Sequence, residues 1–223
     1  IPRLFKLSPV AAVGAPMVGL ANASFWGVGA VYAQKLGYDN ALIASFISIV
    51  IIGAALLQWP LGWLSDRIDR RRVMLGAAVF GIASTLSLAY FGGKSPELLL
   101  GFGALFGAFI IPMFGLTAAH ANDHAQPGEA VSTNGGLLLL HGCGSVVGAT
   151  LGATVMAIYG PPSLFIYIAV IYVLFSAFCL YRILTSPPVP DEKKSPFTPL
   201  PKNAAPTVFE IGAEEKQADE KAG

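Results

Sequence analysis

Of the three histidines in this chain of 223 residues, two share a short stretch with a carboxylate: His120, Asp123 and His124. On a helix, the i, i+3, i+4 spacing puts all three side chains on one side. There they can converge on a metal, cap the next helix or line a gate. A catalytic zinc would want a third ligand and a general base; none is identifiable, so no metal is assigned. The third histidine, His141, stands in an apolar run, and imidazole as a group titrates near neutrality. It is a candidate proton relay, against the plainer role of a hydrogen bond to a helix backbone. Asn22, Trp26 and Gln58 are further polar-tipped side chains in apolar surroundings, and Asn22 and Trp26, four apart, share a helix face. Cys143 and Cys179 also lie in apolar runs and read as buried free thiols. The densest chemistry is ionic: Gly62-Trp-Leu-Ser-Asp66-Arg67-Ile-Asp69-Arg70-Arg71-Arg72. Asp66 is four residues before Arg70 and can pair with it, or face the positive N-terminus of a neighbouring helix. The arginines supply fork-shaped donors for carboxylates or helix-end carbonyls.

The elements that must position these residues follow from composition. Hydrophobic residues make up 54% and charged residues only 12%, against about 25% charged in an ordinary soluble domain. The mean hydropathy is +0.64. Twelve of the charges fall from Asp191 onward, six more lie between Asp66 and Arg72, and residues 130–181 carry none. A water-soluble enzyme is excluded, and a net charge of +1 leaves no footprint for nucleic acid. The chain reads as an all-α membrane protein. A helix needs roughly 20 apolar residues to cross a bilayer, and six stretches qualify: about Ser8–Ala33, Asn40–Leu64, Arg72–Phe91, Glu97–Ala119, Ala130–Tyr159 and Ser163–Leu184. None alternates with period two, as barrel strands would.

An even number of spans puts both ends on one side. With the arginine loop in the cytoplasm, that side holds twelve Lys and Arg and the other only Lys35 and Lys94. The positive-inside rule therefore predicts cytoplasmic termini. Residues 1–184 form the expected six-helix bundle. Residues 185–223, rich in Pro and charge, are expected to be a disordered cytoplasmic tail. An intramembrane enzyme would want a nucleophile, a metal or paired carboxylates within the spans, and the charge-free fifth and sixth spans argue against it. No catalytic residue and no cofactor is expected.

Small residues four apart mark helix–helix seams in lipid. The fifth span has Gly144, Gly148 and Gly152, a face stripped so that a neighbouring backbone can slide or rock against it. The arginine loop carries a family likeness. It resembles the signature of the major facilitator superfamily, Gly-x-Leu-Ala/Ser-Asp-Arg-x-Gly/Asp-Arg-Arg/Lys, which joins the second and third helices of a six-helix half. A second likeness runs from Ala119 to Gly160, through His120-Ala-Asn122-Asp123-His124 and the Gly-rich span after it. With Leu57-Gln58-Trp59-Pro60, it is similar to the C-terminal half of the YcaD-type bacterial members. Where those members often place a proline after the second glycine, this chain has Ala149. The family's close packing is carried over, but its kink is not.

The resemblance implies one half of a twelve-helix, 3+3 inverted-repeat transporter in a bacterial inner membrane, working by rocker-switch alternating access on a small solute. It implies a gating role for Gly62, Asp66, Arg67, Arg70 and Arg71, a latch that holds the cytoplasmic side shut. It makes Asn22, Trp26, Gln58 and His141 the candidates for a substrate cavity, with a proton as a candidate coupling ion. The expected partners are the solute, the lipid bilayer and the N-terminal half of the same transporter. The sequence is read as a truncated one, a six-helix protein acting as a dimer being the alternative. A non-transporting membrane scaffold or receptor is the other alternative.

Overall fold

The computed structural model describes residues 2–126 and 128–186. Pro127 and the segment from 187 on, where the disordered tail is expected, lie outside the described residues. All regular structure among the described residues is helical: α1 (Pro2–Leu7), α2 (Pro9–Lys35), α3 (Asn40–Arg67), α4 (Arg70–Phe91), α5 (Pro96–Ile110), α6 (Met113–Asn122), α7 (Ala130–Tyr159) and α8 (Pro162–Thr185). Six stretches of it are long and apolar enough to span a bilayer, α5 and α6 together forming the fourth.

Helix starts are set by side chains that accept from otherwise orphaned backbone N–H groups. Ser8, Asp39, Asp69 and Ser95 accept from Ala11, Leu42, Arg71 and Leu98 respectively. The third span therefore begins at Arg70, two residues earlier than expected, because Asp69 caps it. The turn into α8 needs Gly160, whose φ of +88° is open to few other residues.

Two features differ from the sequence expectation. The short helix α1 was not expected; six residues carry too little periodicity to be recognised. The fourth span is also not one helix, since it is interrupted at Ile111–Pro112. Proline has no N–H to donate and cannot continue the ladder. The buried Tyr172 hydroxyl of α8 donates to the Ile110 carbonyl at this break, at 3.2 Å.

The packing pattern is two-fold. Take α2–α3–α4 as one repeat and α5/α6–α7–α8 as the other. The first helix of each lies against the second helix of the other, giving the pairs α2–α7 and α5–α3, and the third helices, α4 and α8, meet each other. Because α2 and α5 run in opposite directions, the repeats are inverted, the arrangement expected of half a major-facilitator fold.

Glycines show the same symmetry at atomic detail. A Cβ on Gly19 of α2 would strike the His141 carbonyl of α7, three residues before Gly144, and one on Gly144 would strike the Pro16 carbonyl, three before Gly19. In the other seam, Gly53 of α3 faces the Ala104 carbonyl and Gly107 of α5 faces the Val50 carbonyl, with the same offset of three. The α2–α7 seam runs further, through Gly148 against Leu20 and Gly152 against Ser24, while the Ser24 hydroxyl donates to the Gly148 carbonyl at 2.7 Å. A stripped helix face was expected to let a neighbour slide. In this arrangement Gly19, Gly53, Gly107, Gly144 and Gly148 each seat a carbonyl, and Gly152 seats the Ser24 side chain, which sets the register of the paired helices.

The core between these seams is aromatic. Phe25 sits 4.9 Å from Phe106, centroid to centroid, and Tyr32 meets Phe165 edge-on at 4.6 Å. Tyr32 is 1% exposed, and its hydroxyl donates to the Leu88 carbonyl of α4 at 2.7 Å. Tyr32→Phe keeps the ring and deletes the bond. It is expected to cost about 1 kcal/mol, read as a lower unfolding midpoint in detergent with unchanged helical circular dichroism.

Cys179 is buried, as expected, and unpaired. Cys143 is corrected: it is an exposed free thiol, because α7 is the least covered of the six spans and Cys143 lies on its open side.

Candidate functional site

The stretch from Gly62 to Arg72, the last turn of α3 and the first of α4 with Ile68 and Asp69 between them, folds into a compact ionic knot at the end of the bundle where α6 also finishes. Arg70 is its centre. Its guanidinium donates through Nη1 to Ser65 Oγ at 2.8 Å, and Nη1 lies 2.9 Å from Asp66 Oδ1. Through Nε it donates to Asp123 Oδ2 at 2.6 Å. The Ser65 hydroxyl in turn donates to the carbonyl of the buried Gly62 at 2.8 Å. The side chains of Arg70 and Asp123 are each 1% exposed, whereas Asp66 is 35% exposed. One arginine thus joins the end of α3, in the first repeat, to the end of α6, in the second. Desolvating two charges is repaid only by close, well-aligned partners, and here Arg70 has two carboxylates and a hydroxyl.

Arg71 makes a second clasp. Its Nε and Nη2 grip both oxygens of Asp69 at 2.8–3.2 Å, and its Nη1 donates to the carbonyls of Arg182 and Ser186 at 3.1 Å. It therefore ties the start of α4 to the end of α8, using the helix-end carbonyls that the fork of an arginine suits. Burial works against the Asp69 charge. The Arg71 hydrogen bonds and charge outweigh it and hold that carboxyl below its ordinary 3.8.

Arg67, expected in the same gate, instead lies over the ring of Trp63 on its own helix, 3.8 Å from the centroid. The His120-Asp123-His124 group does not converge on one point. Asp123 turns to Arg70, while the two rings meet edge-on at 4.8 Å and His124 Nδ1 lies 2.9 Å from the His120 carbonyl.

The cavity candidates are spread over the bundle. Asn22 of α2 is 3% exposed, and its Oδ1 has no hydrogen-bond partner among the described residues. Trp26, one turn on, is 37% exposed and packs edge-on against Phe25 at 5.2 Å. Their shared face therefore runs from the interior to the surface, because α7, α8 and α6 cover most of α2. His141 of α7 lies across the seam from α2, half-buried, with Phe114 at 4.5 Å and Ser145 Oγ 3.4 Å from its Nδ1. Gln58, also half-buried, sits on α3, which pairs with α5 instead. Asn22 and His141 thus belong to the two helices of one seam, and Gln58 lies apart from them.

Sequence reasoning missed two partners. Asp69 and Asp123 were not assigned to the arginines. The signal for Asp69 was its bidentate-ready position two residues before Arg71. For Asp123 it was a carboxylate at the end of a span that finishes beside the arginine loop.

An inverted 3+3 bundle with this knot between its second and third helices can be compared with known proteins. The sequence profile of the Major Facilitator Superfamily matches residues 11–214. The chain belongs to that superfamily. Two relatives carry the name "Uncharacterized MFS-type transporter YcaD". The one from Salmonella typhi is 25% identical over 174 residues, covering 78% of this chain and 44% of that protein. The one from Salmonella newport is 26% identical over 156 residues, covering 70% of this chain and 40% of that protein. The chain spans less than half the length of these curated relatives. The superfamily likeness read from the Gly62–Arg72 loop is therefore right, and so is the likeness to its YcaD-type members. With six apolar spans in such a fold, the chain is an integral membrane protein.

Proposed function

We propose that these six helices form one half of a secondary transporter that moves a small solute by rocker-switch alternating access. In this reading the Arg70–Asp66–Asp123 knot is the latch of the state closed at that end. The supporting observation is that Arg70, buried to 1%, holds an acidic group from each inverted repeat at once. An ion pair that is complete in one arrangement and broken in another biases a two-state element. Gly62 and Arg71 belong to the same latch, Gly62 through the Ser65 hydrogen bond and Arg71 through α8. Arg67 supports it from the rim.

The basic end faces the cytoplasm of a bacterial cell, a reading supported by the Lys and Arg imbalance, and the solute binds between this half and an N-terminal half of the same transporter. Asn22 is the first candidate to touch it: an amide oxygen buried without a partner among the described residues is costly, and a polar ligand would satisfy it. Trp26, Gln58 and His141 are the further candidates, His141 as a proton acceptor for coupling. Both polar and titratable groups inside spans are default functional candidates.

Asp66→Asn tests the latch. The Asp66–Arg70 pair is partly exposed and contributes about 0.5–1 kcal/mol, so the variant should insert and unfold much as the parent does. Its flux in proteoliposomes of the full-length protein is expected to be crippled. Undiminished flux in that variant would remove Asp66 from the gate.

A further inference from the structure

At the same end of the bundle, apart from the Arg70 knot, the starts of α2 and α4 and the ends of α1, α6 and α8 enclose a cavity of about 160 Å3. A liquid water occupies about 30 Å3, so a tetrahedral oxyanion fits with water beside it. Three cations line it, Lys6, Arg71 and Arg182, together with the rings of His120 and His124 and with Ser8 at the head of α2.

Among the described residues, the nearby acidic groups are already taken. Asp69 is gripped by Arg71, and Asp66 and Asp123 by Arg70. Arg182 is different. Its Nε is buried and has no hydrogen-bond partner among the described residues, although it is a charged donor for which being left unmade is expensive. Lys6 likewise has no ion pair among the described residues. The positive end of the 27-residue helix α2 opens beside them, and Pro9, its first residue, leaves that end without one N–H. The charges thus come from α1 and α8, while Arg71 of α4 is already committed to Asp69 and to the carbonyls of Arg182 and Ser186.

We infer that this cavity is a binding site for a phosphate-type oxyanion, with Arg182 and Lys6 supplying the charge. The oxyanion is either the headgroup phosphate of an anionic lipid or a phosphate group from solution. The site shares Arg71 with the latch, but the inference does not depend on the transport reading.

The test uses the full-length protein in mild detergent, in two arms. In one, the unfolding midpoint is followed as inorganic phosphate replaces chloride at constant ionic strength. In the other, native mass spectrometry measures retention of phosphatidylglycerol against phosphatidylcholine from mixed micelles. Phosphate raising the midpoint identifies a soluble ligand, and selective retention of phosphatidylglycerol identifies a headgroup. In whichever arm responds, Arg182→Gln is expected to weaken binding about tenfold, as loss of one charge-assisted hydrogen bond would. Lys6→Gln, on an exposed side chain outside the helix packing, should weaken it in the same sense. Arg72→Gln removes an exposed charge that does not line the cavity and should change nothing. Equal losses in Arg182→Gln and Arg72→Gln would reduce the effect to general charge attraction and overturn the proposal. So would the absence of a response in both arms.

Discussion

Arg70→Ala is expected to lower the unfolding free energy by about 3–5 kcal/mol, the cost of leaving a buried charge uncompensated. The group that loses its 2.6 Å partner is Asp123, whose side chain is 1% exposed. Asp123→Asn should cost less, about 1.5–3 kcal/mol for a hydrogen bond to a charged group. Arg70 then still has Asp66 and Ser65 at 2.9 and 2.8 Å. Replacing both members with apolar residues of similar volume, Arg70→Met with Asp123→Leu, is expected to be milder than Arg70→Ala alone, since neither charge is then stranded. Denaturant unfolding in one detergent of the parent, Arg70→Met, Asp123→Leu and the two combined gives the coupling between the two sites. Additive single costs would show that the two groups do not act as a pair.

Gly148→Leu should prevent the bundle from assembling at all. A Cβ at Gly148 would collide with the backbone of Leu20, not with a side chain that can turn away, and a leucine adds three more carbons in the same place. The smaller Gly148→Ala is expected to cost about 1–3 kcal/mol, the usual range for overpacking. The control lies on the same helix. Gly142 has open space where its Cβ would be, so Gly142→Ala should be neutral or stabilising by up to about 1 kcal/mol through helix propensity. Size-exclusion profiles and thermal midpoints read both. If the two alanine variants behave alike, the register of α2 against α7 is not the one described.

Much of this was legible along one dimension. Span number depends on runs of about 20 apolar residues, and α7 was placed at Ala130–Tyr159 from composition alone. The Gly144-Gly148-Gly152 seam was equally visible, because helical spacing puts the three on one face. What they touch was not visible, since Pro16 and Leu20 lie more than a hundred residues away. The Arg70 site was half legible. Asp66 is four residues off, so local geometry predicts that pair, whereas Asp123 is 53 residues away and depends on where α6 ends. The break at Pro112 left a signal in the sequence, yet an apolar span on both sides of it masked its effect on the helix.

The two thiols have a practical consequence. Cys143 is exposed on α7 and Cys179 is buried in α8, and neither is bonded. In detergent a small apolar maleimide is expected to reach Cys143 before Cys179, although Cys143 lies mid-span and its face meets lipid or protein in the bilayer. Cys143 lies one residue before Gly144, on a helix locked to α2. A fluorophore or spin label placed there would report how α2 and α7 move together.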